Sequence, residues 1–271
     1  MSQPGAKYLN EKSLKALELL RSHPYPVDNF HTSKRYAVLV ALIANNDGDL
    51  EVILTVRSTL LRTGAGDSAC PGGKMDLDDV DLIATAKREA WEEVRLPPSE
   101  SQLLTISAPI LSRQMQLVTP IVVYCPNMTT ADISSLCPNP GEVDAIFTTP
   151  LEYFLNPQPE LHSFIEMQWT HSLHRIHSFE GCGASNHVIR EQELTSKNDR
   201  RPTSSLASSR KIDRTNVGWI VYGMTANILL EVGKIAYQRE PAFQMYAQGQ
   251  ITDVGRNAEW FNDSFRPRSS L

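Results

Sequence analysis

The stretch from Asp81 to Val94, which contains neither proline nor glycine, constrains this chain more than any other. Most of its residues are good helix formers. Ile83, Ala86, Ala90 and Val94 recur at helical spacing and make one apolar stripe. Asp78, Asp79 and Asp81 precede the stripe, so one of them can cap the helix and complement its dipole. Pro97 and Pro98 stop it. On this helix Glu89, Glu92 and Glu93 stand at i, i+3 and i+4, so their carboxylates project from one face. Like charges at that spacing repel, and a hard divalent cation, Mg²⁺ or Mn²⁺, is the natural partner. Just upstream lies Pro71-Gly72-Gly73, where glycine lets the backbone take positive φ and approach a ligand closely. A glycine turn leading into a carboxylate-bearing helix makes a cradle for metal and diphosphate. The ordinary alternative is a solvated Glu-rich face. The glycine turn, the Asp-rich spacer and Arg88 beside Glu89 argue against it.

This stretch resembles the Nudix box, Gly-x5-Glu-x7-Arg-Glu-U-x-Glu-Glu-x-Gly-U with U aliphatic. Gly73, Arg88, Glu89, Ala90, Glu92, Glu93 and Leu96 match. Asp79 stands where the first Glu is expected, the spacer from Asp79 to Arg88 is one residue longer, and Arg95 replaces the glycine. The first two departures also resemble one subfamily, the coenzyme A diphosphatases. Its signature is Leu-Leu-Thr-x-Arg-Ser-x3-Arg-x3-Gly-x3-Phe-Pro-Gly-Gly. Ile53, Leu54, Thr55, Arg57, Ser58, Arg62, Gly66, Cys70, Pro71, Gly72 and Gly73 stand at the same spacing, with Ile53 for Leu and Cys70 for Phe. The resemblance spans residues 36–243, since Asn139–Asp144, Pro150–Leu155 and Gly223–Ala226 also look familiar.

The resemblance implies a single-domain α/β/α sandwich around a mixed β-sheet. It also implies hydrolysis of the diphosphate of coenzyme A or its thioesters, giving 3′,5′-ADP and 4′-phosphopantetheine products. In that reading Glu89 and Glu93 bind the divalent metal. Glu92 or Glu142 orients or deprotonates water, and nothing in the sequence chooses between them. Arg57, Arg62 and Lys74 stabilise substrate charge beside Gly72 and Gly73. Arg88 pairs with carboxylates such as Asp79 and holds the loop on the helix. Two rival readings remain. One is another nucleoside diphosphate derivative as substrate, such as an oxidised dNTP, NADH or ADP-ribose. The other is a catalytically silent nucleotide-binding module.

Length and charge set outer bounds. The 271 residues suffice for one large domain or two small ones, and the 41% apolar content suffices for a core. A net charge of −5 gives no reason to expect nucleic acid as a partner. Cys70, Cys125, Cys137 and Cys182 form no C-x-x-C pair and read as reduced thiols. No apolar run reaches membrane-spanning length, and the polar N-terminus does not read as a signal peptide. The expectation is a soluble intracellular protein, cytoplasmic or peroxisomal. Its last residues, Ser269-Ser270-Leu271, lack the basic middle residue of the peroxisomal import tripeptide. Oligomeric state is not legible.

Along the chain, residues 1–30 are expected to hold a short amphipathic helix over 9–22, with Leu14, Leu17 and Leu20 on one side. Residues 31–179 form the core. Tyr36–Ala44 and Glu51–Val56 make a hairpin around Asn45-Asn46-Asp47-Gly48. Leu103–Leu111, Leu117–Tyr124 and Val143–Thr148 are further strands, and Pro150–Leu155 begins a short helix. His171, His174 and His177 fall in a strand pattern, where an i, i+3 pair points to opposite faces, so they are structural or solvent-facing. Residues 180–215, rich in Ser, Asn, Arg, Lys and Glu, read as a disordered insertion. Residues 216–243 supply a helix packed on the sheet, and 244–271 a polar tail.

Overall fold

The computed structural model describes residues 9–32, 34–169, 172–184, 187–189, 218–250, 252, 258–259 and 261–262. The elements run α1 (Glu11–Ser22), β1 (Arg35–Ala44), β2 (Leu50–Arg57), β3 (Ser68–Ala69), β4 (Gly72–Lys74), α2 (Leu82–Val94), β5 (Gln102–Ile106), β6 (Ile110–Leu111) and β7 (Leu117–Thr129). Then follow β8 (Val143–Pro150), β9 (His162–Trp169), β10 (Ser172–Cys182), β11 (His187–Ile189), β12 (Trp219–Tyr222) and α3 (Gly223–Tyr237). The expected hairpin is β1–β2. Asn45 shapes its turn by accepting from the amides of Asp47 and Asp49, each at 2.9 Å.

The main sheet is ordered β11-β8-β2-β1-β7-β5, with β3 on β2, β4 on β1 and β6 on β7. Strand β1 runs parallel to β7 and antiparallel to β2, so the sheet is mixed. Alternation along β1 builds the layers. Ala37, Leu39, Ala41 and Ile43 bury on one face with Ala86, Ala90 and Val94 of α2. Val40 and Leu42 bury on the other with Ala16, Leu17 and Leu20 of α1 and Ile228, Leu229 and Val232 of α3. The result is an α/β/α sandwich. A second, three-stranded sheet, β12-β10-β9, adjoins it.

One edge of β1 is shared between two partners. Its last residues pair with β2, and its first pair with β4, Ala37 opposite Gly73 and Val38 opposite Gly72. The glycines are therefore strand residues, not a positive-φ turn. They are required by proximity. A Cβ on Gly72 would lie 2.4 Å from the Ala37 carbonyl oxygen, and one on Gly73 would lie 2.4 Å from Glu89 Oε1.

Several expectations need correction. Leu14 is exposed, and α1 buries Ser13 and Ala16 beside Leu17 and Leu20. The strand expected over 103–111 splits into β5 and β6, both paired with β7. The stretch 180–215 begins with structure, because β10 runs to Cys182 and β11 pairs with β8. The rest of it, from 190, lies outside the described residues. The stretch 216–243 opens with strand β12 before α3. The 244–271 tail buries Met245, Ala247, Ala258 and Phe261, and Phe261 meets Phe30 edge-on at 5.7 Å. Met245 joins the main core while Ala258 and Phe261 share a small cluster with Phe30 and Leu117, which average polarity conceals. Residues 269–271 are outside the described residues, as is His171.

Helix α2 is capped as expected, Asp81 accepting from the Ala84 amide at 2.7 Å. It ends at Arg95, which takes the left-handed conformation at φ 61°. That conformation favours glycine and costs an arginine about 1 kcal/mol. Arg95→Gly should therefore raise stability by about 1 kcal/mol, a Tm gain of roughly 2 °C. Calorimetry of the two proteins checks this, and an unchanged or lower Tm contradicts it.

Candidate functional site

The site is assembled where α2 passes over β4. Glu89 and Glu93, one helical turn apart, both turn toward the two glycines. Glu89 is half-buried with its carboxylate against Gly73 Cα. Glu93 is buried, and its Oε2 accepts from the Gly72 amide at 3.3 Å. Any side chain at Gly73 would occupy the space of the Glu89 carboxylate.

Arg88 organises the other side. Its Nε and Nη2 donate to the two oxygens of Asp79 at 3.0 and 2.9 Å. Its Nη2 also donates to the Lys74 carbonyl at 3.0 Å, and its Nη1 to Glu89 Oε1 and Glu92 Oε2, both at 3.0 Å. One guanidinium thus ties the spacer loop, β4 and two carboxylates of α2 together, using the planar fork that lysine lacks. Hydrogen bonds from Arg88 hold the Asp79 carboxyl low, at about 2. Asp79 also accepts from Thr85 Oγ1 at 2.9 Å and from the Asp76 amide at 2.9 Å. Position 79 therefore does its work as an aspartate.

Burial pushes the Glu93 carboxyl up to about 8, with further upward pressure from the negative charges of Glu89 and Glu142. Arg57 and the Gly72 amide oppose the rise. Burial likewise raises Glu89, against the pull of Arg88. Cys70, fully buried behind the glycines, is raised to about 12 by burial and then by Glu93, so it is an inert wall and not a nucleophile.

Glu142 arrives from the loop before β8. The Asn139 side-chain amide donates to its Oε2 at 2.8 Å, while the Asn139 backbone amide donates to the Glu93 carbonyl at 2.8 Å. The Ser58 amide donates to the Glu142 carbonyl at 2.8 Å, joining this loop to the end of β2. Asn139 and Ser58 were not among the expected site residues. The only signal for Asn139 was its place in Asn139-Pro140-Gly141-Glu142.

The expected residues therefore divide. Glu89, Glu93, Gly72, Gly73, Arg88 and Asp79 meet directly, and Arg57 and Glu142 are near enough to act on Glu93. Glu92 is engaged by Arg88. Arg62 and Lys74 are exposed side chains. Of the histidines, His177 is buried, its Nε2 donating to the Met245 carbonyl at 2.7 Å, and His174 lies on the opposite face of β10, so neither belongs to this site. Among the described residues no three His, Cys, Asp or Glu side chains form a ready metal cage. No helix of the described residues is long and apolar enough to cross a membrane. The four cysteines are free thiols.

Residues 33–171 match the NUDIX domain model. The chain is 34% identical over 210 residues to Nudix hydrolase 15, mitochondrial, of Arabidopsis thaliana, covering 78% of this chain and 61% of that one. It is 33% identical over 211 residues to Nudix hydrolase 22, chloroplastic, of the same plant, covering 78% and 58%. It is 31% identical over 214 residues to the peroxisomal coenzyme A diphosphatase NUDT7 of Mus musculus, covering 79% and 75%. The alignments thus span about three fifths of the length of the two plant relatives.

The raised Glu93 carboxyl has a consequence for stability. Between the ordinary carboxylate range and about pH 8 the folded protein keeps a proton that the unfolded chain releases. Without metal, stability is then greatest at low pH within this window and falls as pH rises toward 8, by an amount on the order of a few kcal/mol. Glu93→Gln removes the proton and should flatten that slope. Urea denaturation in chelator at a series of pH values reads it, and equal slopes for the two proteins refute the assignment.

Proposed function

The chain belongs to the Nudix family, and from that premise we propose that it is a metal-dependent diphosphatase acting on coenzyme A or its thioesters. The observation that carries the reading is the Glu89–Glu93 pair turned onto Gly72 and Gly73, with Arg57 within electrostatic reach. The donor chemistry fits Mg²⁺ or Mn²⁺. The Glu89 charge raises the Glu93 carboxyl, and such cations bind through one or two carboxylates with water and substrate phosphate oxygens completing the shell. A bound cation supplies neutralisation of phosphate charge and a more acidic water.

The chain's own groups do the rest. Glu89 and Glu93 hold the cation, and the close approach of Gly73 leaves room for their carboxylates. Arg57 stabilises the negative charge gathered on the diphosphate, with Arg62 and Lys74 as exposed cations on neighbouring segments. Glu142 takes the proton from the attacking water, since the Asn139 side chain orients it, whereas Glu92 is braced by Arg88. Water adds to one phosphorus and the anhydride P–O bond breaks, leaving 3′,5′-ADP and 4′-phosphopantetheine or its thioester. The coenzyme A preference rests on the Ile53–Gly73 signature and on the similarity to the mouse coenzyme A diphosphatase. Oxidised dNTP, NADH and ADP-ribose are the competing substrates.

Glu89→Gln and Glu93→Gln should each lower kcat/KM on coenzyme A by at least about 100-fold, roughly 2.7 kcal/mol of transition-state stabilisation. Chelation should abolish turnover of the unaltered protein. Glu142→Gln should lower kcat more than Glu92→Gln does. Chromatographic identification of 3′,5′-ADP in a panel with NADH, ADP-ribose and oxidised dNTP decides the substrate, and turnover of those three without coenzyme A cleavage rejects it.

A further inference from the structure

The loop from Ser58 to Asp67 has Arg57 at its root and is pinned at both ends. At one end the Ser58 amide donates to the Glu142 carbonyl at 2.8 Å, and the Thr59 amide donates to Asp144 Oδ2 at 2.9 Å. At the other end the chain closes on itself. The Arg57 amide donates to the Asp67 carbonyl and the Gly66 amide to the Arg57 carbonyl, both at 2.9 Å. These bonds fix the main chain of Arg57. They do not fix its long side chain, whose rotamer freedom must be restrained by something else if the guanidinium is to meet a substrate in one place.

Two side chains lie in the right place to do so. Gly64 has φ 63°, and a Cβ there would lie 3.1 Å from Asp67 Oδ2 and 3.2 Å from Arg57 Nε. The Asp67 carboxylate and the Arg57 guanidinium therefore border one small space that glycine leaves open. With Nε on the Asp67 side, the Nη groups are left for phosphate oxygens. The other oxygen of Asp67 is held in turn, because the Tyr222 hydroxyl donates to Oδ1 at 2.7 Å. Burial, and then Asp67, raise that hydroxyl to about 12, so it keeps its proton and remains a donor. Tyr222 ends β12, whose Trp219 stacks on Phe147 of β8 at 4.8 Å. Phe147 pairs with Leu54 of β2, the strand that ends in Arg57. Hydroxyl and guanidinium are thus referred to the same strand by separate routes.

We infer that Asp67 and Tyr222 are positioning residues for Arg57: the hydroxyl fixes the carboxylate, and the carboxylate holds the guanidinium toward the diphosphate. This rests on the diphosphatase reading above and adds the residues that aim its arginine. Arg57 lies within electrostatic reach of Glu93, so an arginine held this way faces the metal-binding end of α2. The second sheet thereby takes part in turnover, since Tyr222 links β12 to the arginine loop.

The test is a mutant cycle on the full chain with coenzyme A and Mg²⁺. Asp67→Asn keeps the shape and removes the charge, and should lower kcat/KM about tenfold, while Tyr222→Phe removes one hydroxyl and should lower it about threefold. In an Arg57→Ala background each change should cost less than about twofold, because the group they aim is gone. Asp67→Glu, which keeps the carboxylate, should recover most of what Asp67→Asn loses. If Asp67→Asn does not fold, Tyr222→Phe, which keeps the ring, carries the cycle. Losses that persist in full without Arg57 overturn the inference, as does unchanged turnover of either single variant or an Asp67→Glu no better than Asp67→Asn. Should coenzyme A resist cleavage while NADH, ADP-ribose or an oxidised dNTP is hydrolysed, the substrate assignment fails by itself and the cycle is read on that compound. Should none be cleaved, the proposed function fails, and calorimetric binding of ADP with Mg²⁺ to the same proteins reads the pair. Affinity lowered about tenfold by Asp67→Asn, and not further once Arg57 is absent, supports it. Equal or undetectable binding refutes it.

Discussion

Everything at the site depends on how closely β4 approaches its neighbours. Gly72 lies on β1 with no room for a methyl group, and Gly73 lies against the Glu89 carboxylate. Those two contacts fix the separation of sheet and helix at the one place where acids must converge. Were β4 farther from α2, Glu93 would lose its amide donor and open to water. Were it nearer, Glu89 would have nowhere to go. The apolar layer beneath, Ala86, Ala90 and Val94 against Ala37 and Leu39, uses small residues where the helix crosses the strand. Packing and the convergence of Glu89 and Glu93 are therefore set by the same small side chains.

Arg88 completes this arrangement by carrying charge across three segments. It satisfies Asp79 and the Lys74 carbonyl while touching Glu89 and Glu92. A cluster of acids is costly to bury unless paired. Arg88 pairs with Asp79, Glu89 and Glu92 and not with Glu93, and Glu93 is the one displaced most from ordinary carboxylate behaviour. Family membership and the arrangement of these groups support each other here, though they come from independent observations.

Much of this was legible in the residues because it is local. Spacing along one helix places Glu89, Glu92 and Glu93, and the Asp81 cap follows from chain chemistry alone. The alternation of β1 and the Asn45 turn are local too. What failed was non-local. The glycines read as a positive-φ turn because glycine advertises permissive backbone, whereas their need arises from Ala37 and Glu89, distant in sequence. The short strand β11 was hidden in a polar stretch because its pairing with β8 carries it. Met245 and Phe261 were lost in the average polarity of the tail. Asn139 is meaningful only once the loop before β8 is seen against the end of α2.

That last contact sets the tolerance of the whole centre. The carbonyls left open at the end of α2 are occupied by the 137–143 loop, the Cys137 amide bonding to Val94 and the Asn139 amide to Glu93. Glu142 is therefore mounted on the same rod as Glu93. When the rod shifts, both acids travel together, and their spacing is inherited from main-chain geometry. Sequence drift on the outer surface can move this assembly as a block without pulling its working parts out of alignment.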